Sequence, residues 1–175
     1  MAKAVISTIG HDRPGLVSDI TAIANEHQLN IEDSRMTVLG GEFAVLMALE
    51  GPDDVLARFD AAMQSLCNDD NLAYIFRETT APSDRPATRP YRATIVALDH
   101  PGIVYAIAQF FSARSINIRD LHTDTSPAPH TGTPIFNVTL IAEIPSTIRV
   151  HELKEDFETF CATEDLDGAL DASKG

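Results

Sequence analysis

The chain repeats itself, and the repeat constrains its fold more than any other feature. Asp12-Arg13-Pro14-Gly15-Leu16-Val17 recurs 87 residues later as Asp99-His100-Pro101-Gly102-Ile103-Val104, and the register persists through Ile20/Ile107, Asn30/Asn117, Ile31/Ile118 and Asp33/Asp120. The offset then grows to 93 for Phe43/Phe136, Glu50/Glu143 and Pro52/Pro145, and to 94 for Leu66-Cys67/Phe160-Cys161. It changes between apolar runs and not within them, as loop insertions require. Whatever folds here must therefore fold twice within 175 residues.

Each half has the same element order. In the first, 4–9 is a short β-type run. Leu16, Ile20, Ile23 and Ala24 have helical spacing, which predicts a helix over 14–27. A strand over 30–39, the Gly40-Gly41 hairpin signal and a return strand over 42–50 follow. Val55, Phe59, Ala62, Met63 and Leu66 predict a helix over 53–67, and a last strand fits 71–79. In the second half, 91–98, 116–125 and 135–143 read as strands. Ile103, Ile107, Phe110 and Phe111 mark one helix, and Val150, Leu153, Phe157 and Phe160 another. The segment 165–172 has few β-formers and is the weakest strand signal. The order βαββαβ, read twice, is the ferredoxin-like split βαβ arrangement of the α+β class, an antiparallel sheet with both helices on one face. The expected domains are 1–80 and 91–175, joined by a Pro-rich linker over 81–90, with a hairpin insertion over 126–134 in the second. Such small sheets leave one face and their edges to be covered by the sister domain or a second chain, so a homodimer is expected.

Charge and motif content exclude several functions. The formal net charge is −13, with 13 Lys and Arg against 26 Asp and Glu, so the basic footprint of a nucleic-acid or anionic-membrane partner is missing. No apolar run approaches a membrane span, and the N-terminus lacks the basic and hydrophobic regions of a signal peptide, which points to the cytoplasm. Cys67 and Cys161 occupy equivalent places late in the second helices and read as small buried hydrophobes. The six histidines have no zinc-site spacing, and CxxC, GxxxxGK[ST], GxSxG and HExxH motifs do not occur. No metal, no cofactor and no catalytic set is expected.

The repeated Asp-x-Pro-Gly lies between the first strand and first helix of each half. Proline is tolerated in a first helical turn, glycine lets a ligand approach the backbone, and free N–H groups at a helix start suit a carboxylate. Asp12 and Asp99 can either cap the helix or hold an ammonium group. Asn30 and Asn117 begin the following strands, expected close to the same helix end, and offer an amide. Together these groups suit a zwitterionic amino acid, although the same motif also serves as a purely structural helix start. His11 and His100 flank the loops and can touch a ligand.

Asp12-Arg13-Pro14-Gly15-Leu16-Val17 followed by Leu29-Asn30-Ile31 resembles the signature of ACT domains, and the second half repeats it, so the resemblance spans about 3–79 and 91–163. It implies a regulatory module that binds an amino acid at a domain interface. The ligand-lining positions it implies are Asp12, Gly15, Leu16, Asn30 and Ile31, and their counterparts Asp99, Gly102, Ile103, Asn117 and Ile118. Serine-binding ACT domains commonly carry asparagine where this chain has Asp12 and Asp99. The insertion Ser126-Pro127-Ala128-Pro129-His130-Thr131-Gly132-Thr133-Pro134 further resembles the glycine cleavage system transcriptional repressor family. That resemblance implies action through a protein partner and not through direct DNA contact. Its loop, with His130, Thr131 and Gly132, is open to three readings: ligand lid, partner surface or rigid hairpin. The expected function is a non-catalytic regulator that binds a small amino acid, glycine or serine first. The alternatives are a ligand-free assembly adaptor and a small enzyme. ACT-type segments also precede catalytic domains, as in formyltetrahydrofolate deformylase-like chains, but here the repeats consume the sequence.

Overall fold

A computed structural model describes residues 1–80, 87–128 and 132–173. The chain divides into two compact units, Met1–Ser83 and Asp84–Gly175. The first contains β1 (Ala2–His11), α1 (Leu16–Glu26), β2 (Asn30–Leu39), β3 (Glu42–Gly51), α2 (Asp53–Asp69) and β4 (Ala73–Thr79). The second contains β5 (Thr88–Leu98), α3 (Ile103–Ser112), β6 (Asn117–Pro127), β7 (Pro134–Pro145), α4 (Val150–Thr163) and β8 (Asp167–Ala172). The sheets have strand orders β2-β3-β1-β4 and β6-β7-β5-β8, antiparallel throughout. This is the βαββαβ arrangement twice over.

Period-two alternation builds each core. Ala4, Ile6 and Thr8 of β1 and Phe43, Val45, Met47 and Leu49 of β3 are buried under Leu16, Ile20 and Ala24 of α1 and Leu56, Phe59, Met63 and Cys67 of α2. In the second unit, Ala93, Ile95 and Ala97 with Val138, Leu140 and Ala142 lie under Ile107, Phe110, Phe111, Leu153 and Phe157. The backbone repeats down to its unusual residues. Gln28 and Ser115 both have φ 54°, and Asn71 and Asp165 have φ 54° and 55°, each just beyond a helix.

Several boundaries differ from the sequence expectation. α1 starts at Leu16, not at 14, because Gly15 (φ 91°) is its N-cap and Pro14 precedes it. Thr88, Arg89 and Pro90, expected in the linker, belong to β5. Pro90 stands near the strand start, and its carbonyl accepts from the Ser173 amide at 3.1 Å. The weakly signalled last strand is formed as β8. It pairs with β5 from Tyr91↔Ala172 to Val96↔Asp167 and is anchored by Leu170, 4% exposed. In the 126–134 insertion the ladder continues through Ser126↔Ile135 and Pro127↔Pro134, which leaves a shorter turn than expected.

The strand register overturns one expectation that matters for function. Asn30 is opposite Glu50, and Glu50 is opposite Lys3. Leu39 is opposite Glu42, and Glu42 is opposite His11, the residue before Asp12. Asn30 therefore lies at the end of the sheet away from the Asp12 turn, roughly 26 Å along β1 by strand rise. The reason is the crossover: α1 runs back along the sheet, so β2 begins where β1 began. The second unit repeats this. Asn117 is opposite Glu143 and thence Pro90, while the Asp99 amide donates to the Pro134 carbonyl at 3.2 Å, at the other end.

Candidate functional site

The Asp-x-Pro-Gly turns are open at the surface. Gly15 and Gly102 have φ 91° and 103°, a left-handed conformation that costs other residues about 1–3 kcal/mol. A Cβ added at Gly102 would meet nothing within 4 Å, so backbone conformation and not close packing accounts for glycine there. Neither α1 nor α3 has a side-chain cap, so Asp12 and Asp99 do not cap these helices and their carboxylates are exposed. Leu16 and Ile103, 1% and 2% exposed, are core residues whose side chains face the helices and sheet, not the turn's surface. Each turn thus places an exposed carboxylate near a helix start, and in the first the Leu16 amide donates to the Arg13 carbonyl at 3.4 Å.

The other predicted residues sit at the opposite end of each sheet. Asn30 is exposed, and Asn117 Nδ2 donates to Glu143 Oε2 at 2.9 Å. Ile31 is 38% exposed, whereas Ile118 packs against the second core. A β-bulge follows in both units, between Ile31 and Asp33 and between Ile118 and Asp120, which kinks the strand beside the asparagine. β2 is an edge strand on which every residue except Ser34 is exposed. No single unit brings the asparagine to the turn.

His11 ends β1 and is exposed; His100 Nδ1 lies 3.1 Å from the Pro101 carbonyl. His130 and Thr131 lie outside the described residues. Gly132 (φ 69°) sits in the hairpin turn and its amide donates to the Ala128 carbonyl at 3.0 Å. Among the described residues no group of three or more His, Cys, Asp or Glu is placed to hold a metal, and no helix is long and apolar enough to cross a membrane.

One set of residues was missed in the sequence. Arg13 Nη2 donates to Asp19 Oδ2 at 2.7 Å and also to Asp70, tying the turn to both helices of the first unit. The signal for it was a difference between repeats: at offsets of 87 and 94, Arg13, Asp19 and Asp70 become His100, Ala106 and Glu164.

Cys67 and Cys161 are buried and free. Burial raises both thiol pKa values, Cys161 to about 11, with Asp167 and Glu158 adding to it. An unfolded thiol ionises near about 8.5. Cys161 therefore contributes stability that is complete below that pH and is lost as pH rises through the folded value of about 11. Iodoacetamide at pH 8 is expected to label neither cysteine in the native protein and both in urea. Rapid native labelling, read by mass spectrometry, would contradict the buried, protonated assignment.

Two antiparallel βαββαβ units, each with a glycine-capped turn at its surface, define a tandem pair of ferredoxin-like modules. Residues 3–76, nearly all of the first unit, match the ACT domain, and this unit belongs to the ACT-domain family. It is 26% identical over 166 residues to the glycine cleavage system transcriptional repressor of Escherichia coli, which covers 95% of this chain and 87% of that protein. It is 35% identical over 66 residues to a UPF0237 protein of Methanosarcina mazei, covering 37% of this chain and 72% of that one. The solved structure of an unknown protein from Galdieria sulphuraria superposes with TM-score 0.80 at 24% identity and covers 99% of each chain, which shows the same fold across both units.

Proposed function

We propose that this chain is a non-catalytic, cytoplasmic regulator that binds a small amino acid, glycine or serine first, and thereby controls a partner protein, in the manner of a transcriptional regulator of the glycine cleavage system type. The observation that supports this reading is that the Asp12 turn and Asn30 stand at opposite ends of one sheet with an exposed edge. The Asp12 turn supplies a carboxylate for an ammonium group and helix-start amides for a carboxylate, while Asn30 stands at the opposite end of the same sheet. A second copy pairing its exposed β2 antiparallel to the first would bring its Asn30 toward the Leu39 and Asp12 end of the first copy, twice by symmetry. The same pairing would satisfy an edge strand that otherwise invites non-specific pairing. The kinship with the Escherichia coli repressor supports the regulatory role, and the acidic charge balance supports a protein partner over DNA.

A ligand-free adaptor is the second reading. It is favoured by the open sheet face of the first unit, where Ile9, Leu46 and Ile75 are 50%, 50% and 58% exposed.

A thermal-shift screen against the twenty amino acids separates the two readings. A ligand bound only by the folded state stabilises it by about 2.7 kcal/mol at a hundredfold excess over Kd. Glycine or serine is expected to raise Tm, and Asn30→Ala or Asn117→Ala to abolish the rise. No shift with any amino acid at millimolar concentration would transfer the weight to the adaptor.

A further inference from the structure

The two repeats serve as controls for each other. In the first unit the Arg13 guanidinium lies between Asp19, in the first turn of α1, and Asp70, the C-cap of α2. In the second unit the acid at the helix end is retained as Glu164, the C-cap of α4, but the arginine has become His100 and the other carboxylate Ala106. A cleft of about 720 Å³ lies there between α3 and α4, within the range of small-molecule sites. Its apolar floor is Ile103, Phe110, Phe160 and Leu166, with the two phenyl rings 4.9 Å apart and tilted by 35°. Its far end holds Arg114, already engaged: Nη2 bonds Asp156 at 3.0 Å, and Cζ lies 3.9 Å above the Phe110 ring.

Around the groove, the side chains of Tyr105 and Gln109 lie on α3, and the acceptors gather at the His100 and Glu164 end. The Thr159 hydroxyl donates to the Glu155 carbonyl at 2.9 Å and the Thr163 hydroxyl to the Thr159 carbonyl at 2.8 Å, so both oxygens retain lone pairs but no free proton. His100 Nδ1 lies 3.1 Å from the Pro101 carbonyl, which leaves Nε2 toward the groove's end without a protein hydrogen bond among the described residues. Among the described residues no cation pairs with Glu164. Acceptors above an aromatic floor select a positively charged donor on an apolar body, and the net charge of −13 favours the approach of a cation.

We propose that the α3–α4 groove binds a small organic cation, a primary ammonium or guanidinium group on an aromatic or aliphatic body. The head occupies, at Glu164, the place that the Arg13 guanidinium takes in the first unit, and the body lies over Phe110 and Phe160. The groove shares His100, Gly102 and Ile103 with the Asp99 turn, but not Asn30 or Asn117, so the asparagine variants separate cation binding from amino-acid binding.

Titration calorimetry of the full chain with benzylguanidine and 2-phenylethylamine tests the proposal, with 3-phenylpropionate as the anion of similar shape. Both cations are expected to bind saturably at one site per chain, and the anion not to bind. Glu164→Gln is expected to weaken the cations by about tenfold or more, through loss of a charge-assisted hydrogen bond. The double substitution His100→Arg with Ala106→Asp rebuilds the first unit's bridge and is expected to abolish binding with the circular dichroism unchanged. Asn30→Ala is expected to bind the cations as the parent does. Absence of saturable cation binding at millimolar concentration, equal affinity for the anion, or unchanged affinity in Glu164→Gln would each overturn the proposal, whatever glycine or serine does to Tm.

Discussion

Phe157→Ala is expected to lower the stability of the second unit by about 3–5 kcal/mol, the cost of deleting a buried aromatic ring and leaving a cavity. Phe157 is fully buried, with its ring centroid 5.3 Å from that of Phe110, 5.9 Å from that of Phe111 and 6.1 Å from that of Phe160. Its removal takes away apolar burial and the ring contacts together. Phe157→Met is expected to cost less than about 1.5 kcal/mol, because volume-conserving exchanges repack. Met63 fills the equivalent place in the first unit and is also fully buried. Urea titration followed by far-UV circular dichroism gives both values. An alanine variant as stable as the methionine one would show that the four rings do not form a tight cluster.

Gly10→Ala is expected to destabilise the first unit by about 1–3 kcal/mol through overpacking. A Cβ at Gly10 would stand 2.4 Å from Leu72 Cδ2 and 3.2 Å from Leu72 Cα. The leucine tip can rotate away, but its Cα moves only with the turn that joins α2 to β4. The second unit carries Ala97 and Leu166 at the matching places, so the fold accommodates a methyl group there in that unit. Thermal unfolding of Gly10→Ala beside Ala97→Gly checks the asymmetry. A Gly10→Ala protein with unchanged Tm would mean that the α2–β4 turn yields at no cost.

Much of the fold was legible because its causes are local. The alternation that buries Ala4 and Ile6 beneath Leu16 and Ile20 is a matter of side-chain period, and the repeat supplied a second reading of every element. Of the candidate site, the open turn was legible, since Pro14 and Gly15 announce a helix start in any context. β8 was faint because its formation depends on the partner strand β5 and on Leu170, not on the propensities of 165–172. The Arg13 bridge was invisible as a contact because it joins residues 57 apart in the chain.

By itself the sequence determined that one βαββαβ unit would form twice, which faces of its helices and strands would be apolar, and that the chain would carry a formal net charge of −13. Those are consequences of period, composition and charge, which need no knowledge of where distant residues meet. Only the tertiary structure decided that Asn30 and the Asp12 turn stand at opposite ends of one sheet, and that Glu164, which no cation pairs among the described residues, lies at a groove whose counterpart Arg13 bridges in the sister unit. Both follow from the path of the crossover helices, which returns the chain across the sheet and sets neighbours by direction and register, quantities that no local pattern encodes.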